Sequence, residues 1–485
     1  LLSVLIFRQL YFSLESGERF IFWGLILAIA AILIIWILRT RTPSGKKNVK
    51  RLETLKEIPE ELLRSSPAGV TVGTDIDLEA KIYLPDHIRT RHVHIVGVTG
   101  SGKTESVILN FLKQDVARGL GSIVLDAKGD QSFLDELNLW VPKHRLFVFD
   151  LSSNESTGYN ALKHGSPLEA AQRLFSSLTW SEEYYKSKAL SALQQLFQVH
   201  FEINGRNPTL VELSQYLKSP DSYSSFIQSE GVGSSAKQEF QELSGLRDQI
   251  RSLTLGHLES ILSPIGEGQL DIRAAATGAV LYFRLQSLMS PQLVSAVGKL
   301  VINHLNYFAG TAHRERVHAK QRKLVPVYVD EFASFACPEF ADLISKARSA
   351  GFALHFSHQS VGDVMDVSDG FLGRITDNSA TKIILRVSDP DSAEFFARCF
   401  GTKDIQKTTQ RITNAKEIES AEVVGEGTTR DAHQFRASPD TLKTLPTGSG
   451  VMLVAHGRAT PHGASSIFKI QFPLLNESPT TNLES

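Results

Sequence analysis

The stretch Gly97-Val-Thr-Gly-Ser-Gly-Lys-Thr104 decides the fold of this chain. It follows an apolar strand candidate at 92–97 and precedes an amphipathic helix candidate at 105–118. Glycines let a loop wrap closely around a bound group, and the backbone N–H groups at a helix start attract anions. The spacing G-x-x-x-x-G-K-T in this context predicts a phosphate-binding loop. Its predicted binding residues are Gly97, Gly100, Ser101, Gly102, Lys103 and Thr104.

Two side chains of this loop have separate expected roles. The Lys103 ammonium would reach the β- and γ-phosphates of a nucleotide, and the Thr104 hydroxyl would bind Mg²⁺. The alternative is a glycine-rich turn that binds nothing. The apolar strand before the loop and the amphipathic helix after it argue against that alternative.

A second segment, 324–332 (LVPVYVDEF), is an apolar strand that ends in two adjacent carboxylates. Asp330 would hold Mg²⁺ through water, and Glu331 would polarise the attacking water. Alone, such a pair could equally cap a following helix. Beside a phosphate-binding loop, the adjacent Asp and Glu favour hydrolysis of ATP with Mg²⁺ as the cofactor.

Segment 352–359 (FALHFSHQ) is another buried strand candidate that ends in polar residues. Gln359 could lie beside the γ-phosphate and report its presence, or it could simply bond backbone at the strand end. His355 and His358 are a pair at a spacing that is more typical of structural histidines than of a metal site.

The composition excludes several classes of protein. The chain has 485 residues, of which 42% are apolar and 21% charged, as in folded proteins. Its net charge of −1 creates no global basic field, so any nucleic-acid site must be local. Two cysteines, Cys337 and Cys399, are too few for a disulfide framework or a cysteine-based zinc cluster.

Residues 20–38 (FIFWGLILAIAAILIIWIL) carry no charge and predict a transmembrane helix about 28 Å long. Basic residues follow directly, so by the positive-inside rule the rest of the chain is cytoplasmic. The apolar stretch 1–7 leaves open an earlier span that ends there. Because the sequence begins with Leu1, we expect the natural chain to start further upstream.

Continuous apolar strands and intervening helices predict a parallel α/β sheet that is interrupted near 166 by helical spacing and resumes near 279. The predicted organisation is a membrane anchor (1–38), a basic juxtamembrane linker (39–69), the N-terminal segment of a nucleotide-binding domain (70–165), an all-α insertion (166–268), the C-terminal segment of the nucleotide-binding domain (269–475) and a polar tail (476–485).

Four motifs together resemble type IV coupling proteins, the TraD/TraG-like ATPases of conjugation within the FtsK/HerA group. They are HIVGVTGSGKT, VLDAKGD (124–130), VYVDEF and an AR pair followed by SHQS. The resemblance covers essentially the whole chain. It implies a RecA-like P-loop ATPase domain interrupted by an all-α domain, and an N-terminal transmembrane helix. Within VLDAKGD, Asp126 and Lys128 would lie near the nucleotide.

The resemblance also implies an assembly and partners. It leads us to expect a homo-hexamer in the bacterial inner membrane, with the ATPase domain in the cytoplasm. The hexamer would recruit the relaxase complex with its single-stranded DNA and drive it toward type IV secretion channel proteins. Arg348 lies in a stretch resembling the family's A-x-R-x-x-G pattern and would be a catalytic arginine that acts on a neighbouring subunit's site. Arg374 is a second candidate for that role.

Other functions stay open on the sequence. One alternative is an ATP-dependent substrate receptor for protein secretion, and another is a double-stranded DNA pump of the FtsK/HerA type. A signalling GTPase is disfavoured because no N-K-x-D motif follows the loop. A DNA contact could lie in a basic cluster that is more typical of a solvated loop: Arg314, Arg316, Lys320, Arg322 and Lys323.

Overall fold

The computed structural model describes residues 51, 54–55, 58–227, 234–266, 268–287, 290–314, 323–412, 423–457 and 464–473. The predicted span 20–38, the stretch 1–7 and the tail 476–485 lie outside these residues. Within the described ranges, no helix is both long and apolar enough to cross a bilayer.

The described strands run from residue 69 to residue 471. They are β1 (Gly69–Asp75), β2 (Ala80–Pro85), β3 (Val93–Val96), β4 (Ser122–Asp126), β5 (Leu146–Asp150), β6 (Val280–Arg284), β7 (Val325–Asp330), β8 (Phe352–His358), β9 (Thr381–Ile384), β10 (Thr402–Ile412), β11 (Val423–Phe435), β12 (Ser449–Ala455) and β13 (Ser465–Gln471).

In the described part of the chain, eleven strands form one sheet in the order β2-β1-β13-β12-β9-β3-β8-β7-β4-β6-β5. The strands from β9 to β5 are parallel, and those from β12 to β2 are antiparallel. Strands β3, β4, β7 and β8 are buried along almost their whole length, as parallel strands with covered faces are. This architecture confirms the predicted α/β class.

The described helices alternate with the strands at both ends of the chain. They are α1 (Glu60–Leu63), α2 (Asp86–Arg89), α3 (Leu109–Ala117), α4 (Gln131–Trp140), α5 (Pro167–Ser177), α6 (Glu183–Asn204), α7 (Leu210–Tyr216), α8 (Pro220–Phe226), α9 (Ser234–Glu242), α10 (Ser244–Ser252), α11 (Leu258–Leu262), α12 (Pro291–Arg314), α13 (Pro338–Lys346), α14 (Gly362–Met365), α15 (Phe371–Asp377), α16 (Pro390–Phe400) and α17 (Pro439–Lys443).

Helices α5 to α11 lie between β5 and β6, in the segment for which helical spacing was the main signal. Two of them begin with capping boxes, in which Ser166 pairs with Glu169 and Thr209 with Glu212. Residues 238–262 have helical spacing, and the structure divides them among three helices. Gly256 has a φ of 59°, which no continuous α-helix accommodates. The domain boundaries themselves stay a prediction.

The apolar core continues from one face of the parallel sheet into the helical region. Ile123 and Leu281 of the sheet belong to the same buried cluster as Leu193 of α6 and Leu246 of α10. A second cluster packs α16 against β9 and β12, with Phe396 at its centre and Val96 at its border. Both clusters hold the strand ends in place, and β3 contributes to the second one directly before the glycine-rich loop.

A buried ion pair holds α3 against α2. Arg89 donates to both carboxylate oxygens of Asp115, at 2.8 and 2.6 Å, and both side chains are fully buried. The Tyr328 hydroxyl donates to the same carboxylate at 2.5 Å. Burial alone would raise the pKa of Asp115, but the charge and hydrogen bonds of Arg89 lower it below the usual value. This network fixes the helix that follows the glycine-rich loop.

Candidate functional site

The candidate site lies at the carboxyl ends of three neighbouring parallel strands. Strand β8 pairs with β3 on one side and with β7 on the other. The segments that follow these strands therefore converge at one edge of the sheet, where ligands bind in open α/β folds. They carry the glycine-rich loop, the Asp330–Glu331 pair and Gln359.

The glycine-rich loop leaves β3 and enters a helix that starts with π-type turns over Lys103–Ile108 and continues as α3. Gly102 has a φ of 100°, in the left-handed region that favours glycine. A Cβ on Gly97 would lie 2.7 Å from Ser101 Oγ and 2.9 Å from Leu385 Cβ, so only glycine allows this close approach. The loop backbone thus needs glycine where the sequence motif has it.

Lys103 is folded back over this loop. Its ammonium donates to the Gly97 carbonyl at 2.5 Å, and the residue is only 6% exposed. Burial lowers the pKa of Lys103, while the charges of Glu331 and Asp330 act in the opposite direction. The lysine therefore places a positive charge inside the loop, facing the two carboxylates.

Asp330 joins the loop to the neighbouring strands. The Thr104 hydroxyl donates to Asp330 Oδ2 at 2.6 Å, and the Ser357 hydroxyl donates to Oδ1 at 2.5 Å. The Glu331 backbone N–H also donates to Oδ1 at 3.0 Å. The structure thus brings Thr104 and Asp330 together. Ser357 is a further member of the site that the sequence analysis did not single out.

Both its backbone conformation and a side-chain hydrogen bond position Glu331. Its φ of 51° lies in the left-handed region, which costs a non-glycine residue about 1 to 3 kcal/mol and is typical of functional sites. Its carboxylate accepts a hydrogen bond from Gln359 Nε2 at 2.9 Å. Burial raises the pKa of Glu331, although the charge of Lys103 and the bond from Gln359 lower it. The structure thus brings the predicted residues Lys103, Glu331 and Gln359 together.

Two neighbouring contacts, absent from the sequence analysis, support the site. Asp363 accepts hydrogen bonds from the backbone N–H groups of Gln359 and Ser360, at 3.0 and 2.7 Å. On the other side of the loop, the Thr447 hydroxyl donates to the Gly100 carbonyl at 3.2 Å. The spacing Ser360-x-x-Asp363 is a local signal for the first contact. The second joins segments far apart in sequence, so no local pattern indicates it.

Asp126 ends β4 directly beside Asp330 of β7 in the sheet register. It accepts bonds from the Lys128 and Gly129 backbone N–H groups at 2.9 Å each and from the Tyr282 hydroxyl at 2.7 Å. Burial, with a smaller effect from the nearby Asp330 charge, raises its pKa to about 6. Asp126 therefore shapes the turn next to Asp330, and the exposed Lys128 side chain pairs with Asp130.

Arg348 lies at the amino ends of the parallel strands, opposite the carboxyl ends that carry the candidate site. It belongs to the 3₁₀ turn Ala347–Ala350, which precedes β8, whereas the loop with Lys103 follows the carboxyl end of β3. Seven residues of β8 separate the two ends by about 20 Å. Arg348 is exposed and does not reach the Lys103 loop of its own chain. Arg374, the second candidate, pairs with Asp342 at 2.7 Å.

The basic cluster suggested as a DNA contact is only partly described. Arg314, at the end of α12, pairs with Glu169 at 3.2 Å. Residues 315–322 lie outside the described ranges. His355 and His358 are fully buried within β8, where Arg89 Nε donates to His355 Nε2 at 3.2 Å and His358 Nε2 lies 2.7 Å from His94 Nε2.

The donor set fits a nucleotide with Mg²⁺. Thr104 and Asp330 offer hydroxyl and carboxylate oxygens, the ligand type that Mg²⁺ prefers, and such sites usually rely on one or two carboxylates plus phosphate oxygens. Ser101 Oγ is buried in the loop without a hydrogen-bond partner in the described structure. Among the same residues, no group of three or more His, Cys, Asp and Glu side chains could hold a metal.

Two family descriptions match the chain. Residues 78–137, which include the glycine-rich loop, match the "Type IV secretion-system coupling protein DNA-binding domain". Residues 325–446, which include Asp330, Glu331, Arg348 and Gln359, match the "TraM recognition site of TraD and TraG". No curated protein sequence matches the chain.

Solved structures of similar fold cover nearly the whole chain. The bacterial conjugative coupling protein TrwBdeltaN70 matches with a TM-score of 0.63 and 15% identity over 87% of this chain and 92% of that one. The plasmid coupling protein TrwB in complex with ADP and Mg²⁺ has a TM-score of 0.62 and 16% identity over 86% and 92%. VirB4 of Thermoanaerobacter pseudethanolicus has a TM-score of 0.56 and 16% identity over 86% and 98%.

At these identities the structural matches show the fold alone, and that fold agrees with the predicted RecA-like sheet. The two family descriptions add the sequence evidence, since they match separate segments that meet at one site. Lys103 comes from the first segment, and Asp330, Glu331 and Gln359 come from the second. The two family matches and the shared fold together support the type IV coupling protein family for this chain.

Proposed function

We propose that this chain is an ATPase that couples a DNA–protein substrate to a type IV secretion channel during conjugation. The observation that carries the proposal is the set of contacts linking Thr104, Asp330, Glu331 and Gln359 beside the buried Lys103. This arrangement combines a phosphate-binding loop with the Glu331 carboxylate, which is positioned by hydrogen bonding and is suited to activate water. TrwB, of similar fold, is a plasmid coupling protein with a solved ADP and Mg²⁺ complex.

Binding of ATP rests on the loop. The backbone N–H groups of the glycine-rich turn and the helix start would bind the phosphates, and Ser101 Oγ offers a buried hydroxyl beside them. The Lys103 ammonium would exchange the Gly97 carbonyl for phosphate oxygens, because the phosphate oxygens carry the larger negative charge. Burial lowers the pKa of this ammonium, and the charges of Glu331 and Asp330 oppose that effect.

Mg²⁺ fits the oxygens of Thr104 and Asp330. When bound there, it would neutralise charge on the phosphate oxygens. Ser357 and the Glu331 N–H both bond Asp330 Oδ1, so the carboxylate is oriented by two donors before any ligand binds. Orientation of a ligand by such outer contacts is a general feature of metal sites.

Glu331 would accept the proton of the attacking water. A carboxylate in a buried site is a stronger base than one in water, and burial raises the pKa of Glu331. The Gln359 amide holds one of its oxygens and lies on the segment after β8, next to the loop that would bind the phosphates. We propose that Gln359 positions this base and senses the γ-phosphate.

Assembly into a ring is included in the proposal. Arg348 is exposed at the amino ends of the parallel strands, and the Lys103 loop of its own chain lies at their carboxyl ends. Arg348 is therefore available to a neighbouring subunit. A guanidinium contributed by a neighbour stabilises charge on the transferred phosphoryl group and can raise the rate about 10³-fold or more. The proposed assembly is a homo-hexamer in which each site lies between two subunits.

The proposed location is the bacterial inner membrane. Residues 20–38 would anchor the chain, and the basic residues after them orient the ATPase domain toward the cytoplasm. The proposed substrate is the relaxase complex with single-stranded DNA, which is passed to the channel proteins. The family assignment supports this role.

The experiment is an ATPase assay on the full chain in detergent, with single-stranded DNA, duplex DNA or no DNA, over a range of protein concentrations. We expect single-stranded DNA to stimulate hydrolysis, and the specific activity to rise with protein concentration as rings form. Hydrolysis that is indifferent to DNA would favour the secretion receptor, and stimulation by duplex DNA alone would favour the double-stranded pump. Either result would overturn the proposal.

A further inference from the structure

Strands β10 and β11 form a two-stranded ribbon, separate from the main sheet, in which charge is sorted by face. Residues directly opposite each other, and alternate residues along a strand, share a face. One face contains Lys403, Ile405, Lys407, Arg430, Ala432 and Gln434. The other contains Thr402, Asp404, Gln406, Asp431, His433 and Phe435. Among these twelve residues, the first face has three cations and no carboxylate, and the second has two acids, Asp404 and Asp431.

We call Lys403, Lys407 and Arg430 the cationic face of the ribbon. All three are exposed, and none has an ion-pair partner among the residues that the structure describes. On the opposite face, Asp404 instead bonds His433 at 2.7 Å. Over residues 402–407 and 430–435, the cationic face therefore has three positive charges without an ion-pair partner, and Asp404 and Asp431 lie on the opposite face.

One pair in this face is unfavourable on its own. Lys407 lies directly opposite Arg430 in the register. Like charges directly opposite each other on one face of a strand pair, with Cβ atoms about 5 Å apart, destabilise the pair. A two-stranded ribbon is also only marginally stable alone in water. An anionic partner on this face would relieve the repulsion and stabilise the ribbon.

We propose that the cationic face binds the phosphates of the single-stranded DNA substrate. This inference rests on the proposed function and adds a binding surface to it. The ribbon lies outside residues 78–137, which match the DNA-binding-domain description, and follows β9 and α16 in the chain. It is also distinct from the loop that would bind ATP.

The geometry of the face suits a nucleic-acid backbone. Lys403 and Lys407 are four residues apart on one strand, a separation of about 13 Å, which is long enough to contact phosphates of more than one nucleotide. The residues between the cations, Ile405 and Ala432, are aliphatic, and the face has no aromatic ring on which a base would stack. Contact through phosphates alone is independent of base sequence, as transport of a whole DNA strand requires.

The acids on the second face limit DNA contact to one side of the ribbon. Asp404 and Asp431 repel phosphates, so only one side of the ribbon would contact the strand. An acidic protein surface would satisfy the same cations. DNA is the stronger candidate because its charges repeat along an extended chain, so one strand can contact both Lys403 and the Lys407–Arg430 pair.

The test measures binding of the full chain in a neutral detergent to a fluorescein-labelled 30-nucleotide single strand, by anisotropy at several NaCl concentrations. The first variant is Lys403→Gln/Lys407→Gln/Arg430→Gln. The matched control removes three exposed cations elsewhere, as Lys143→Gln/Lys218→Gln/Arg251→Gln. A charge-conserving variant, Lys403→Arg/Lys407→Arg/Arg430→Lys, tests whether charge alone suffices.

Three lost phosphate contacts should reduce the slope of log K against log [salt] by about 2, since each contact on a single strand contributes about 0.7. Affinity at 0.1 M salt should fall roughly tenfold to a hundredfold. The control and charge-conserving variants should bind like the wild type, which shows that the loss depends on the charge at these three positions.

Other outcomes overturn the inference in distinguishable ways. A wild type that does not bind single-stranded DNA overturns the proposed function and this inference together. Wild-type binding that the first variant retains with an unchanged salt slope overturns the inference alone. The inference is also overturned if the triple-Gln variant binds DNA normally but sediments as a smaller assembly. The ribbon would then contact another copy of the chain. Equal losses in the control variant, or tighter wild-type binding to a labelled 30-base-pair duplex, also overturn it.

Discussion

Gln359 Nε2 lies 2.9 Å from Glu331 Oε1 and donates a hydrogen bond to it. The two residues directly follow adjacent parallel strands, β8 and β7. Glu331 itself has a left-handed φ of 51°. The carboxylate that would activate water is therefore positioned by an amide from the next strand, and any shift of the segment after β8 changes its geometry.

Replacement of Gln359 by Ala should lower kcat for ATP hydrolysis about tenfold to a hundredfold and leave KM for ATP within about twofold. The base would lose its orienting bond, while Lys103 and Thr104 would still bind the nucleotide. Steady-state kinetics of the full chain measure both constants. An unchanged kcat, or a raised KM at an unchanged kcat, would contradict the positioning role.

Replacement of Glu331 by Gln should separate binding from chemistry. Hydrolysis should fall by roughly 10² to 10⁴, because the base is lost, while a fluorescent ATP analogue should bind as to the wild type. Glu155→Gln, at an exposed turn after β5, is the matched control and should hydrolyse ATP normally. Wild-type turnover by the Glu331 variant would place the base elsewhere.

The sequence predicted the elements of the fold that local patterns determine. The apolar run before the Asp330–Glu331 pair indicated β7 and the run at 352–359 indicated β8, because buried parallel strands are apolar along their whole length. Strands β1, β2 and β13 were not predicted. They form the antiparallel side of the sheet, where polar and apolar residues mix and pairing between distant segments decides the structure.

Local signals were also available for two helices that the sequence analysis did not identify. The capping box Thr209-x-x-Glu212 starts α7, and Ser219 with Pro220 starts α8. Within the site, the motif residues Lys103 and Asp330 could be chosen from spacing. Ser357 and Thr447 could not, because their contacts join segments far apart in sequence.

Asp126 should make stability depend on pH. Its pKa is about 6 in the folded protein and 3.8 ordinarily, so the folded state binds this proton more tightly. Its contribution to stability is therefore complete below about pH 3.8 and is lost as pH rises through 6. In Asp126→Asn, whose amide oxygen can still accept the Lys128 and Gly129 bonds, this loss should be absent.

The free energy of unfolding of Asp126→Asn, relative to wild type, should therefore increase by roughly 2 kcal/mol between pH 4 and pH 7. Urea denaturation at several pH values measures the difference, and subtraction of the two proteins removes the other titrating groups. Parallel pH profiles would show that Asp126 titrates normally.

Replacement of Asp115 by Ala should destabilise the protein by about 3 to 5 kcal/mol, because the buried Arg89 guanidinium would lose its carboxylate. The double variant Arg89→Met/Asp115→Leu should recover most of this loss, since it leaves no unpaired charge. Denaturation midpoints of the three proteins provide the measurement. A single variant as stable as wild type would show that the ion pair contributes little.

Subunit mixing tests the position of Arg348. Arg348→Ala and Lys103→Ala should each be inactive alone, but a mixture should regain some of the ATPase rate. Mixed rings contain sites with an intact Lys103 from one subunit and an intact Arg348 from its neighbour. A mixture of Lys103→Ala with Glu331→Gln is the control and should stay inactive, because both changes affect the chain's own site. Full activity of Arg348→Ala alone, or no rescue, would contradict a role between subunits.

The most direct measurement is displacement of streptavidin from the end of a biotinylated single strand by the full chain in the presence of ATP and Mg²⁺. A motor that drives single-stranded DNA should displace it at a rate that depends on ATP, and the Glu331→Gln variant should bind the strand without displacing it. Hydrolysis of ATP by the wild type with no displacement from either end of the strand would contradict the proposed DNA transport.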